Sequence, residues 1–286
     1  MMKILILGGT GLIGGALERH LSADHEVECV GRSAFASQDV LNKLAQDKDL
    51  IIKLSGANIV KRWNAAYKQE IWDSRIETSK QLKIALDFLT NKPRIFCASA
   101  VGFYPESLCD QPFNEDCKHP GTGFLSDLVV AWEKSSESLA KEVLIFRFGV
   151  VLSVKGGALS QMLLPFKLGF GGPVAGGKQC FSWIHVGDLV KAFSYAIEHP
   201  EMQGVFNLTS PNPVTQAQFG KTLASLLHRP FLLPLFKWQI KLLFGEGSQV
   251  LTQGASVVPK KLLKLGFQFD YAESRLALKD IIYNKK

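Results

Sequence analysis

Three regularly spaced glycines stand where chemistry could begin. The run Gly8-Gly9-Thr10-Gly11-Leu12-Ile13-Gly14 gives G-x-x-G-x-x-G directly after the apolar stretch Lys3-Ile4-Leu5-Ile6-Leu7. Glycines at this spacing permit a tight turn, let a pyrophosphate approach the backbone, and let the next helix pack on its strand. The N-terminus of that helix favours negative charge. A dinucleotide site is therefore expected at Gly8, Thr10, Gly11, Leu12, Ile13 and Gly14; the competing reading is a glycine-rich turn without a ligand.

The end of the next apolar stretch, Glu26-Val27-Glu28-Cys29-Val30, decides which dinucleotide. An NAD site usually places Asp or Glu there to accept from the ribose hydroxyl. Here the residues are Gly31-Arg32-Ser33. Without a carboxylate a 2′-phosphate meets no repulsion, and the planar fork of Arg32 matches it. NADP(H) is expected over NAD(H), with a solvated strand-end arginine as the bland alternative.

The elements that must carry these residues alternate. Apolar runs at Lys3–Leu7, Glu26–Val30, Asp49–Leu54, Arg94–Ser99 and Val143–Phe148 read as strands buried on both faces. Helical patterns at Leu12–Ala23, Asn64–Leu89 and Asp127–Lys141 lie between them. This predicts an α/β fold, a Rossmann-type doubly wound parallel sheet. After Gly149 the texture turns glycine- and proline-rich, as expected of substrate-side loops at about 150–185. The expected division is a dinucleotide-binding domain over 1–228 and a small, mainly helical C-terminal domain over 229–286.

Composition sets further bounds. With 286 residues, 47% of them hydrophobic and 21% charged, the chain reads as a soluble globular protein. No apolar run approaches the ~18 residues of a membrane span. Five cysteines without C-x-x-C spacing argue against a disulfide framework and for the reducing cytoplasm. Cys109, Cys117 and His119 fit no zinc pattern, so no metal is expected.

The net charge is +7, yet Met1 to Gly220 hold 22 basic and 22 acidic residues, so the excess lies wholly in Lys221 to Lys286. Its lysines are dispersed through helical patterns, which reads as a solvated surface rather than a nucleic-acid or membrane contact. The expected partner is a small-molecule substrate or none, and the oligomeric state is open.

A dozen ordered motifs together resemble the extended short-chain dehydrogenase/reductase superfamily, and within it the NAD(P)-dependent epimerase-like family, also labelled cell-division-inhibitor-like, with its C-terminal domain. They include the glycine loop, Leu54-Ser55-Gly56-Ala57-Asn58, Arg62-Trp63, Ser74-Arg75-Ile76-Glu77-Thr78, Ser99-Ala100-Val101-Gly102-Phe103-Tyr104 and Trp132-Glu133. They continue through Arg147-Phe148-Gly149-Val150-Val151-Leu152, Gly171-Gly172-Pro173, Ser182-Trp183-Ile184-His185, Gly245-Glu246 and Pro259-Lys260-Lys261-Leu262. The resemblance implies cofactor contacts at Leu54, Ser55, Gly56, Arg75, Ser99 and Val151, and a substrate-positioning role for Ser99. It also implies oxidoreductase or epimerase chemistry on a small polar substrate such as a nucleotide sugar.

One part of the family pattern is missing. The usual catalytic pair is a tyrosine followed four residues later by a lysine, and no Tyr-x-x-x-Lys exists in this chain. Aligned on Glu133, those positions hold Leu125 and Val129. Tyr104 is the candidate replacement, with a loop-packed tyrosine as its equal. Arg62, Trp63, Trp132, Glu133 and His185 are candidates for the substrate side, although Trp132 and His185 also suit a core. Asp188 reads as a helix N-cap, and Arg75 by default as part of a solvated helix face. The loss leaves two functions open: an enzyme with an atypical site, or an NADP(H)-binding sensor without turnover.

Overall fold

A computed structural model describes residues 1–284. Six strands, β1 (Lys3–Leu7), β2 (Glu26–Val30), β3 (Leu50–Lys53), β4 (Arg94–Ala100), β5 (Val143–Phe148) and a sixth at Gly204–Leu208, pair in parallel in the order β2-β1-β3-β4-β5-sixth. The order reverses between β1 and β3. That reversal opens a crevice beyond the carboxyl ends of the strands, where an α/β sheet takes its ligand.

The central strands lie between two apolar layers, as their continuous Ile, Leu, Val and Phe runs require. Ile4, Ile6, Ile52, Phe96, Phe146 and Phe193 build one layer; Leu5, Leu7, Ile51, Cys97 and Ile145 build the other. The helices are α1 (Leu12–Leu21), α2 (Gln38–Ala45), α3 (Ala65–Asp87), α4 (Phe124–Glu137), α5 (Gly157–Lys167), α6 (Val186–Glu198), α7 (Gln216–Leu226), α8 (Lys237–Phe244), α9 (Gln249–Thr252), α10 (Lys260–Lys264) and α11 (Ser274–Tyr283). Asn64 caps α3 through its side chain, which accepts from the Tyr67 amide. Between Gly149 and the sixth strand, β6 (Val150–Leu152), β7 (Cys180–Phe181) and β8 (Trp183–His185) extend the molecule. The sixth sheet strand is therefore β9 (Gly204–Leu208), and β10 (Val214–Thr215) pairs antiparallel with β7.

The C-terminal residues share a core with the chain before them. Ala277, Leu278 and Ile281 of α11 pack with Leu159 and Phe166 of α5 and Phe219 and Leu223 of α7. The expected N-cap, Asp188, lies inside α6. His185 is the cap instead, its Nδ1 accepting from the Gly187 amide at 3.0 Å. Asp188 is 1% exposed and its carboxylate accepts from the amides of Asp270 and Tyr271, tying the last segment to α6.

The cysteine expectation is corrected in one respect. Cys109 and Cys180 form a disulfide, while Cys29, Cys97 and Cys117 are free. The bridge joins residues 71 apart and sits in a seam that the sequence does not reveal. Across that seam the Ser107 amide donates to the Gly254 carbonyl, Phe113 to Ser256, and Val258 back to Phe113. Oxidised protein denatured without reductant is expected to titrate three thiols with a thiol reagent, rising to five after reduction. Cys180→Ser is expected to lower unfolding stability by about 2–4 kcal/mol, and five titratable thiols before reduction would remove the bridge.

Candidate functional site

The glycine loop sits at the crevice because β1 ends there. Gly8 adopts φ +92°, a left-handed conformation, and donates to the Val30 carbonyl at 2.8 Å. A Cβ on Gly14 would lie 2.4 Å from the Gly9 Cα, so only glycine lets α1 start so close to the loop. At its N-terminus α1 has no side-chain cap and no acidic residue in the first turn. Its leading amide groups therefore lack an internal anion, the arrangement that accepts a phosphate.

The neighbouring loops close on the same place. A Cβ on Gly31 would come within 3.1 Å of Thr10 Oγ1, and one on Gly8 within 2.9 Å of the Ser55 amide nitrogen. Gly8 to Gly14, Gly31 to Ser33 and Leu54 to Gly56 are thus brought together. Arg32 extends into solvent with its side chain 91% exposed, 3.9 Å from Glu70 as its nearest carboxylate. Val151, in β6, packs against the main apolar layer, and the Leu12 side chain reaches the turn at Gly156 and Gly157.

Arg75 departs from the solvated helix face expected by default. It is buried, donates to the carbonyls of Ala57 and Ile71, and stacks 5.0 Å from the Trp132 ring. Ser74 accepts from the Ala57 amide at 2.9 Å, so the two residues hold the loop after β3 from beneath. Burial lowers the Arg75 pKa to about 10. Lys53, at the end of β3, is fully buried with a hydrogen bond to the Arg75 carbonyl, and burial brings its pKa down to about 8.

At the end of β4 the structure shows a closed polar group. Ser99 Oγ donates to Glu133 Oε1 at 2.6 Å, and Arg147 donates to both Glu133 oxygens at 2.7 Å. All three residues are buried. The Arg147 guanidinium also lies 3.5 Å from the Phe103 ring centroid and 4.9 Å from that of Tyr104. Glu133 and Ser99 belong to the expected site. Arg147 was visible only as part of a motif, and the signal for it is a charge in an otherwise apolar strand.

Of the two readings of Tyr104, its surroundings correspond to the loop-packed tyrosine. Its hydroxyl donates to Asn207 Oδ1 at 2.9 Å, and its ring stacks on Phe113 within an apolar cluster that includes Val257. Burial raises its pKa, against the opposing pull of Arg147. Asn207 in turn donates from its amide to Glu115 and from its side chain to the Val258 carbonyl. The Tyr104 hydroxyl is committed to the seam that holds the C-terminal segment.

The substrate-side candidates have different surroundings. Trp63 is buried, donates to the Ile59 carbonyl and meets Phe124 edge to face. Trp132 is buried beside Arg75. Arg62 alone is exposed, and it donates to the Leu242 carbonyl in α8 at 2.7 Å. Leu125 and Val129 pack over Gly102, within 3.9 and 3.7 Å of where its Cβ would stand, so the positions of the absent Tyr/Lys pair form an apolar wall. Among the described residues no cluster of three His, Cys, Asp or Glu could hold a metal, and a cavity of about 580 Å³ opens at the other end of β4, lined by Arg94, Lys141 and Gln203.

His185 serves the C-terminal latch. Its Nε2 stands 3.4 Å from Asp280 and its ring 3.8 Å from that of Tyr271. Burial, opposed by Asp280, lowers its pKa from 6.5 to about 4. A histidine depressed in the folded state contributes stability that is full above pH 6.5 and lost as pH falls toward 4, about 3 kcal/mol in all. His185→Asn keeps an Nδ1-like acceptor for the Gly187 amide and removes the titration. Urea unfolding between pH 7 and pH 4 is expected to show a shallower acid decline in this variant, and parallel profiles would reject the assignment.

Comparison with known proteins places these features. Residues 4–209 match the NAD dependent epimerase/dehydratase family, and residues 235–281 match a domain of unknown function (DUF1731). The mouse epimerase family protein SDR39U1 is 36% identical over 293 residues, covering 98% of this chain and 100% of that protein. An epimerase family protein of Staphylococcus haemolyticus is 37% identical over 99% of both chains. The crystal structure of human SDR39U1 (isoform 2) with NADPH superposes with a TM-score of 0.90 at 35% identity, over 99% of this chain and 100% of that one. The UDP-N-acetylglucosamine 4-epimerase of Bacillus cereus, 19% identical with a TM-score of 0.77, shares the fold.

Proposed function

The chain belongs to the NAD dependent epimerase/dehydratase family, and on that premise we propose that it is an NADP(H)-dependent oxidoreductase or epimerase for a small polar substrate. In this reading Ser99 and Glu133, rather than a Tyr/Lys pair, handle the proton. The carrying observation is the 2.6 Å hydrogen bond from Ser99 to Glu133, with Glu133 fixed by both arms of Arg147.

A serine hydroxyl has one proton to donate and lone pairs to accept with. Here the proton is given to Glu133, so Ser99 meets a substrate as an acceptor. It therefore suits a substrate hydroxyl better than a carbonyl. When that hydroxyl is oxidised, its proton passes to Ser99 Oγ as the Ser99 proton passes to Glu133; reduction runs the same path backward. Arg147 holds the carboxylate in place through both of its oxygens. A small polar alcohol, including the sugar ring of a nucleotide sugar, fits this arrangement.

The cofactor side is supported by the uncapped N-terminus of α1, by Arg32, and by the NADPH in the human SDR39U1 structure. Thr10, Gly11 and the first turn of α1 would hold the pyrophosphate, Arg32 and Ser33 the 2′-phosphate, and Leu54 to Gly56 the adenosine side. When bound, the nicotinamide supplies the hydride chemistry. The proposed setting is the cytoplasm, on the strength of three free cysteines, with the Cys109–Cys180 bridge as the observation against it.

A second reading, an NADP(H)-binding sensor without turnover, is favoured by the apolar wall of Leu125 and Val129 and by the commitment of Tyr104 to Asn207. Two measurements test these claims, the first the cofactor and the second the turnover. Arg32→Ala is expected to raise the Kd for NADPH about 10- to 100-fold, the value of a charged hydrogen-bond pair, and to leave that for NADH unchanged. Equal losses for both cofactors would remove Arg32 from the 2′-phosphate. In a screen of polar alcohols and nucleotide sugars followed by NADPH absorbance, Ser99→Ala and Glu133→Gln are expected to lower kcat about 100-fold or more, and Glu133→Gln also to lower unfolding stability because it leaves Arg147 without its counter-charge. Turnover insensitive to both variants would sink the relay, and intact NADPH binding without turnover on any of these substrates would favour the sensor.

A further inference from the structure

The excess positive charge of residues 221–286 is not spread over a purely polar surface. The segment 231–235 runs along 171–175: Gly171 bridges Phe231, Val174 bridges Leu235, and the Leu232 and Leu233 amides donate to the Gly171 carbonyl. The helix α5 ends just before this seam and α8 begins just after it. Around it, within about two helical turns, stand Leu164, Leu168 and Phe170 on one side and Phe236, Trp238 and Leu242 on the other, each more than half exposed. Leu164 on α5 and Leu168 at its C-cap are four residues apart, and so are Trp238 and Leu242 on α8, so each pair shares a face. The only buried residue of α8 is Ile240.

The charges in the same segments have one sign. No Asp or Glu occurs from Val143 to Gly187, nor from Met202 to Gly245. Lys167, Lys178, Arg229, Lys237 and Lys241 lie within these stretches, and Arg229 reaches across the seam to the Lys167 carbonyl at 2.7 Å. Trp, Phe and Leu interleaved with lysine on short, protruding elements match a surface that enters the headgroup region of a bilayer. At 66% exposure, Trp238 and Leu242 project outward, unlike side chains lining a pocket.

We propose that this face docks on an anionic phospholipid bilayer, lying in the interface without crossing it. The choice of partner rests on charge complementarity. A second copy of the chain would bring the same lysines together with no carboxylate in either segment to answer them, whereas anionic headgroups answer all of them. Among the described residues no helix is long and apolar enough to span a membrane. The sequence expectation of a solvated helical surface is revised accordingly, because the side chains between the lysines are exposed and apolar. Through Gly245, which bridges Trp63, and through Arg62 on the Leu242 carbonyl, the same surface borders the loop after β3.

The test is co-sedimentation of the full chain with vesicles of phosphatidylcholine alone and with about 30% phosphatidylglycerol added to give a negative surface potential. Binding is expected only to the anionic vesicles and is expected to weaken as salt rises, with a blue shift of tryptophan emission that Trp238→Phe removes; Trp63, Trp132 and Trp183 are already buried and Trp72 is half-buried. Lys237→Gln with Lys241→Gln is expected to weaken binding about 30-fold, or about fivefold for each lysine at about 1 kcal/mol. Trp238→Ser with Leu242→Ser is expected to abolish it, while thermal unfolding and NADPH binding show that the variant is folded. Absent binding, equal binding to neutral vesicles, or binding untouched by the second pair would overturn the proposal. So would a dimer by light scattering that the same pair dissociates, which would assign the face to a second copy.

Discussion

The buried pair of Glu133 and Arg147 is the constraint from which the centre of the molecule follows. Two charges with side chains 8% and 5% exposed persist only when each is answered completely. The fork of Arg147 takes both carboxylate oxygens, and Ser99 supplies a further donor. These three residues lie on α4, β5 and β4, so a single electrostatic requirement sets how the helix sits on two adjacent strands. The flat side of the guanidinium then covers Phe103 and Tyr104, fixing the turn that leaves β4. Removing one partner would strand the other in a dry interior, a loss of about 3–5 kcal/mol.

A second buried cation system works without a carboxylate. Lys53 and Arg75 are answered by carbonyl oxygens and by the Trp132 ring, and the Nε of Arg75 has no partner among the described residues. Desolvation without a counter-charge explains the lowered pKa of both. The sites differ in consequence. At Glu133 the charge is neutralised locally by Arg147, with Ser99 as a further donor. Beneath Gly56 a net positive charge remains just under the loop that borders the glycine-rich turn, where an anionic ligand is expected.

Most of the sheet was legible in the sequence because strands buried on both faces are written as continuous apolar runs. Lys3–Leu7, Glu26–Val30 and Val143–Phe148 agree with β1, β2 and β5 to the residue. The sixth strand, Gly204–Leu208, escaped notice: it opens on a glycine and carries Asn207, whose polarity is satisfied by Tyr104, Glu115 and Val258 from distant parts of the chain. The glycine loop was legible because its geometry admits one residue type at Gly8 and Gly14. The fates of Tyr104 and His185 were not, since their partners, Asn207 and Asp280, are about a hundred residues away. A side chain's type shows that it needs a partner, but only the tertiary fold shows which one it finds.

That distinction also explains why several motif residues are engaged by distant parts of the chain. The segment Ser107 to Phe113 is joined to Gly254–Val258 by backbone hydrogen bonds and to Cys180 by the disulfide, and Tyr104 and Asn207 anchor its base. His185, Asp188 and Tyr271 tie the final helix to α6. Several residues that looked like a substrate shell therefore hold the C-terminal segment against the sheet. Tyr104 is engaged there, and Leu125 and Val129 form an apolar wall. Ser99, backed by Glu133 and Arg147, is the hydroxyl at the carboxyl end of β4 that is coupled directly to a carboxylate, so any proton chemistry at this position must be compatible with that network.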